Sequence, residues 1–119
     1  MNKLERCRKA KEYHDKGFNC AQSVLEAFRD KVGLTEEQCC GIATGLGGGF
    51  RCGNICGAAS GAVLVLGMLT PHIHDNDLAE KRRAYDVAAE FRRRFMARFT
   101  CARCGELLEE YLRELGLCA

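Results

Sequence analysis

Residues 47–67 read GGGFRCGNICGAASGAVLVLG. The first part is glycine interrupted by two cysteines, Cys52 and Cys56; the second part is apolar. Glycine loses more backbone freedom on folding than any other residue, so a run of it implies a conformation that side chains would obstruct. Gly47, Gly48, Gly49 and Gly53 leave bare amides and free dihedrals, and such a backbone can close around a sulfur anion or a small cluster. An apolar helix follows, beginning near Cys56 and running to about Leu69. Its small face, Gly57, Ala58 and Gly61, admits a neighbouring backbone. Apolar residues on the remaining faces predict that it is the central helix.

Helical spacing continues on both sides of this stretch. Leu4, Cys7, Lys11 and His14 share one face of a first helix that stops at Gly17. Asn19 caps a second, with Gln22 completing the capping pattern, Val24, Leu25 and Phe28 as buried stripe, and Gly33 at its end. Thr35 and Gln38 repeat the pattern for a third helix through Cys39, Cys40, Ile42 and Ala43. Pro71 ends the fourth. Asp75, Asn76 or Asp77 caps a long fifth helix with Ala84, Ala88, Phe91, Phe95 and Phe99 inside. Thr100 opens a last helix carrying Leu107, Leu108, Tyr111, Leu112 and Leu115, closed by Gly116. No segment alternates with period two for long enough to make a strand. The expectation is all-α: one domain over residues 1–119, a compact bundle of about five to six helices with a glycine-rich loop before the central one.

A chain of 119 residues is one domain by length, and 47% apolar with 29% charged residues is ordinary for a soluble globular protein. A net charge of +2 names no partner. The opening MNKLERCRKAKEYHDK is charged and helical in pattern, so no export signal is expected, and AVLVLGML at 62–69 is far short of a membrane span. The expected setting is a reducing cytoplasm, without membrane contact. Nine cysteines cannot all close into internal disulfides, and in that compartment they point to metal binding or redox chemistry.

Their positions differ in meaning. Cys20 directly follows the Asn19 cap and Cys56 directly follows the glycine loop, so both sit at a helix N-terminus. The partial positive charge and unpartnered amides there favour thiolate over thiol, predicting a lowered pKa. Thiolates are the nucleophiles of redox exchange and the ligands of soft metals. Cys101 and Cys104 form the only C-x-x-C, at the start of the last helix, a spacing that suits a redox dithiol or half of a metal site. Cys7, Cys39 and Cys40 read as small buried hydrophobes.

Four pieces occur in order: Asn19-Cys20-Ala21-Gln22; Gly47-Gly48-Gly49; Cys56-Gly57-Ala58-Ala59-Ser60-Gly61; and Cys104-Gly105-Glu106-Leu107-Leu108. Together they resemble the C-GCAxxG-C-C family of redox-active bacterial proteins, from about residue 10 to the C-terminus. The resemblance implies a redox role and places the four family cysteines on Cys20, Cys56, Cys104 and Cys118. It implies a bound iron–sulfur cluster or another metal such as zinc. The family usually continues through a longer loop and a further helix, whereas here the sequence ends just after Cys118. Cys101 or Cys52 is therefore an alternative fourth position.

Other features have plainer readings. Gly45-Leu46-Gly47-Gly48-Gly49-Phe50 follows a helix rather than a strand, which removes the mechanical context of a dinucleotide site. Gly48, Gly49, Gly57 and Arg51 are the candidate contacts to a cluster or anionic substrate. His72 and His74 read as a polar turn, and His14 as a surface residue. The arginines of the fifth helix lack interleaved aromatics, so nucleic acid is not expected. Three functions remain. The first is a thiol redox or electron-transfer protein, with Cys56 as nucleophile and Cys20 resolving it, or with the cysteines holding a metal, and with a redox protein as partner. The second is a metal or sulfur carrier. The third is a helical interaction protein, a homodimer through the Gly57/Gly61 face or the aromatic stripe.

Overall fold

Three helices begin with the same device. The side chains of Asn2, Asn19 and Thr35 accept hydrogen bonds from the backbone N–H groups of Glu5, Gln22 and Gln38, at 2.8, 2.8 and 3.1 Å. The Glu5, Gln22 and Gln38 side chains reach back to the cap N–H groups. Each such cap contributes about 1 kcal/mol. In the computed structural model, which describes residues 1–114, they start α1 (Lys3–Asp15), α2 (Cys20–Ala27) and α4 (Glu36–Ala43). The others are α3 (Arg29–Val32), α5 (Gly57–Leu69), α6 (Leu78–Phe99) and α7 (Cys104–Glu114). Among the described residues there is no strand, only an isolated bridge between Ile55 and Arg103. The expected positions Leu115, Gly116 and Cys118 lie outside the described residues.

The all-helical expectation holds, with an extra helix and some shifted faces. The second expected helix breaks at Phe28 (φ −113°, ψ 13°), and α3 is a separate turn ended by left-handed Gly33 (φ 69°). The break lets Phe28 and Val32 both turn onto the core. That core is Ala21, Leu25, Val32, Cys39, Ala43 and Val65, with Leu34, Leu46 and Leu64 against it. Fully buried Leu25 alone stabilises by roughly 1.5–3 kcal/mol. Its helix, α2, packs on α1, α4 and α5, so α2 rather than α5 is central. One side of α5 stays open, with Val63, Met68 and Leu69 exposed.

The small face of α5 performs as expected. A Cβ at Gly61 would lie 2.9 Å from the Ala21 carbonyl oxygen, so only glycine allows α5 this close to α2. On α1 the inward face is different from the one expected. Leu4, Cys7, Lys11 and His14 are exposed, and Tyr13 is buried. Its ring meets Phe18 and its hydroxyl donates to Glu36 at 2.9 Å. Arg6, on that face, lies over the Phe28 ring and donates to the Ala27 carbonyl and the Asp30 carboxylate. Its stem does the covering that an apolar residue was expected to do.

Asp77 caps α6 by accepting from the Glu80 N–H at 2.9 Å. No residue of α6 is fully buried: Ala84, Ala88, Phe91 and Phe95 are half-covered and Phe99 is exposed, because α5 is its main support. The last helix starts at Cys104, not Thr100. Thr100 ends α6 in the left-handed region (φ 65°), and 101–103 runs beside the loop before α5. Among the described residues, no helix is long and apolar enough to cross a membrane.

Candidate redox site

The glycine loop is built from left-handed residues. Gly48, Gly49, Phe50 and Arg51 have φ of 64, 62, 58 and 60°, and the turn closes where the Asn54 N–H donates to the Gly49 carbonyl at 2.9 Å. Glycine tolerates this; Phe50 and Arg51 each bear a strain of roughly 1–2 kcal/mol. Phe50 is 71% exposed, so packing of its ring does not offset the strain. What holds the loop is its surroundings. Gly47 packs directly on the Asn19 side chain, which also donates to the Thr44 carbonyl at 3.0 Å. A Cβ at Gly49 would lie 2.8 Å from the Cβ of Cys104.

The same loop is tied to the segment before α7. The Cys56 N–H donates to Ala102 and the Cys104 N–H to Asn54, both at 2.6 Å. Cys56 therefore becomes the N-cap of α5 and Cys104 the first residue of α7. On the other side, the Cβ of Cys20, first residue of α2, lies 3.3 Å from where a Gly57 side chain would begin. Three helix N-termini, each bearing a cysteine, thus face one region. Cys56 and Cys104 are close enough to Cys20 for their charges to be felt there.

The electrostatics run partly against expectation. Cys20 is exposed, yet desolvation by the groups packed around it pushes its thiol pKa up, and the nearby Cys56 and Cys104 sulfurs push it further the same way. Its own backbone N–H pulls it down, but does not prevail. The lowered pKa expected for Cys20 is thus corrected: the positive helix end competes with two like charges that sequence spacing does not reveal.

The remaining cysteines divide. Cys39 is buried in the core, as expected of a small hydrophobe. Cys40 is half-buried and its Sγ donates to Glu26 at 3.3 Å; burial, then that bond, raise its pKa to about 11. Glu26 itself is fully buried and paired with Arg29 at 2.9 Å, a feature sequence reading missed because the i,i+3 pair looks like a surface one. Cys7 is exposed, not buried. Cys52 is exposed, its Sγ 3.5 Å from the Gly49 carbonyl. Cys101 is half-buried and lies before α7 rather than on it. Gly48 and Gly49 shape the loop, Gly57 seats Cys20, and Arg51 stands exposed at the loop tip. Cys118 lies outside the described residues.

The match to the family that these pieces resemble is extensive. Residues 18–118 match the family described as "Putative redox-active protein (C_GCAxxG_C_C)". The chain belongs to this family. No curated protein and no solved structure matches it.

A metal can be tested against the spacing. Among the described residues, one set of three ligand side chains has its atoms within 4.8 Å of one another: His74, Asp77 and Glu80. Cys20, Cys56 and Cys104 do not form such a set. Three thiolates on one zinc ion at about 2.3 Å would stand roughly 3.8 Å apart. As they stand, the three sulfurs are spaced more widely than that. The donor chemistry of the trio suits zinc and an iron–sulfur cluster alike, since thiolates hold both. The His74 group is accounted for by helix capping. The Glu80 carboxylate accepts from the His74 N–H and from His74 Nδ1, at 3.0 and 2.8 Å. The His74 side chain, then the backbone N–H groups of Ile73 and His74, hold Glu80 at about 2.

Proposed function

We propose that this family member is a thiol-based redox protein whose working unit is Cys20, Cys56 and Cys104. The observation that supports this most is the meeting of three helix N-termini, each starting with a cysteine, from distant parts of the chain. Positive helix ends favour the first thiolate to form, and the crowding of like charges disfavours the next. Thiol exchange uses a nucleophilic sulfur with a second thiol placed to resolve the mixed disulfide.

In the dithiol reading Cys56 is the nucleophile. It caps α5 beside the open glycine loop and is half-exposed. Its thiolate attacks a disulfide sulfur, forming a mixed disulfide and expelling one thiolate. Cys20 then attacks the Cys56 sulfur, expelling the second. Two protein thiols become one disulfide, the substrate disulfide becomes two thiols, and the protons pass to the leaving sulfurs. A partner redox protein reverses the cycle.

The donor chemistry of the trio supports a second reading, in which Cys20, Cys56 and Cys104 hold an iron–sulfur cluster and one of Cys52, Cys101 or Cys118 completes the set. Such a cluster supplies one-electron transfer. Gly48, Gly49 and Gly57 then give the backbone close approach, and Arg51 a balancing cation.

Analysis of anaerobically purified protein for iron, sulfide and zinc, with a visible spectrum, separates the two. Iron with sulfide and visible absorbance, both lost in Cys56→Ser, supports the cluster. Metal-free protein with a reversible two-electron couple, lost in the same variant, supports the dithiol. Nine thiols that react slowly and alike in metal-free protein would contradict both.

A further inference from the structure

A cavity of about 480 Å³ opens beside Cys56. Its apolar wall includes Phe95, Phe99 and Leu107. The rings of Phe95 and Phe99 lie 4.8 Å apart at 45°, a tilted aromatic pair on one face of α6. The charged groups lining it are Arg98, Glu110 and Glu114, and the Arg98 guanidinium is already drawn over the Phe99 ring at 5.9 Å. Among the described residues, one cation against two carboxylates leaves the lining net negative. Thr100 lines the same cavity with φ 65° and ψ −25°, a region β-branched residues seldom occupy. Strain of this kind, roughly 1–3 kcal/mol, clusters where ligands are held. The volume is that of a small-molecule site, with apolar walls and few polar groups.

We propose that this cavity is the substrate pocket of Cys56 and takes a small, neutral or cationic disulfide bearing an aromatic group. The proposal rests on the dithiol reading. The aromatic group stacks on Phe95 and Phe99, which sets one disulfide sulfur toward Cys56. The Cys56 thiolate attacks that sulfur: one S–S bond forms, the substrate S–S bond breaks, and the distal thiolate leaves and takes a proton. Cys20 resolves the mixed disulfide, releasing the aromatic thiol. The substrate is the oxidant, reduced to two thiols as the protein pair is oxidised. Anionic disulfides are disfavoured, because Glu110 and Glu114 line the cavity.

The test uses the reduced full-length protein and three probes: dithiodipyridine (neutral, aromatic), dithiobis(nitrobenzoate) (anionic, aromatic) and hydroxyethyl disulfide (neutral, aliphatic). Reaction at Cys56 is followed by mass spectrometry of its peptide, with Cys56→Ser as background. Phe95→Ala is expected to slow dithiodipyridine about tenfold and leave hydroxyethyl disulfide within about twofold. The Glu110→Gln, Glu114→Gln double variant is expected to speed dithiobis(nitrobenzoate) about threefold and leave dithiodipyridine unchanged. Leu107→Ala replaces Phe95→Ala if the latter does not fold. A wall variant that slows both neutral probes alike, or neither, overturns the pocket and leaves the dithiol reading standing. A Cys56 inert to all three probes overturns both.

Discussion

Cys20 rests against a glycine: its Cβ lies 3.3 Å from where a side chain at Gly57 would start. That contact brings the N-terminus of α5 onto the N-terminus of α2, and it is repeated one turn later where Gly61 meets Ala21. The glycines of this helix therefore set the distance between two of the site's cysteines.

Gly61→Ala should destabilise the fold. The new methyl would stand 2.9 Å from the Ala21 oxygen and 3.1 Å from its Cα, and backbone atoms cannot step aside without separating the helices. The expected cost is about 1–3 kcal/mol by urea denaturation. Gly67→Ala, on the same helix with nothing within 4 Å, should instead stabilise by up to about 1 kcal/mol. Equal effects from the two substitutions would mean that α2 and α5 are not packed through this face.

Phe50→Gly should also stabilise, because it relieves a left-handed residue (φ 58°) whose exposed ring gives little back. The gain expected is about 1 kcal/mol, partly offset by the added freedom of glycine in the unfolded chain. Gly49→Ala should do the opposite, since its Cβ would fall 2.6 Å from the Asn54 nitrogen and 2.8 Å from the Cys104 Cβ. Thermal melts of the pair check the sign. A Phe50→Gly protein less stable than wild type would show that the ring contributes more than its exposure implies.

Local chemistry was readable and long-range chemistry was not. The Asn19/Gln22 and Thr35/Gln38 boxes are complete within four residues, so the starts of α2 and α4 followed directly. The placement of Cys20 and Cys56 at helix starts came with them, and the small face of α5 announced a close neighbour. The inward face of α1 was missed because Arg6 covers Phe28 with a charged side chain. The exposure of α6 was missed because its phenylalanine stripe has the pattern of a buried helix while α5 is its main support. Residues 101–103 read as the start of a helix; pairing with 54–56, nearly half the chain away, extends them. That pairing also sets Cys104 beside the glycine loop, a placement that the C-x-x-C spacing marked as chemistry but could not locate in space.

Tyr13 gives a test at alkaline pH. Burial, then the hydrogen bond to Glu36, raise its pKa to about 12, against about 10 in an unfolded chain. The folded state holds the proton more tightly, so the Tyr13 contribution is complete below pH 10 and is lost as pH rises toward about 12. Absorbance titration should show Tyr13 ionising late, and Tyr13→Phe should abolish that step. The same variant should lose about 1 kcal/mol at neutral pH with the Glu36 bond. A titration in which every tyrosine ionises near 10 would place Tyr13 outside the core.

The most direct test of one shared thiol site is the pH dependence of Cys20 alkylation, read by mass spectrometry in reduced, chelator-treated protein. Because Cys56 and Cys104 push the Cys20 pKa up, Cys56→Ser and Cys104→Ser should each move its midpoint to lower pH, while Cys7→Ser should not. A Cys20 midpoint unmoved by both substitutions would contradict the account, because the three sulfurs would then have no common surroundings.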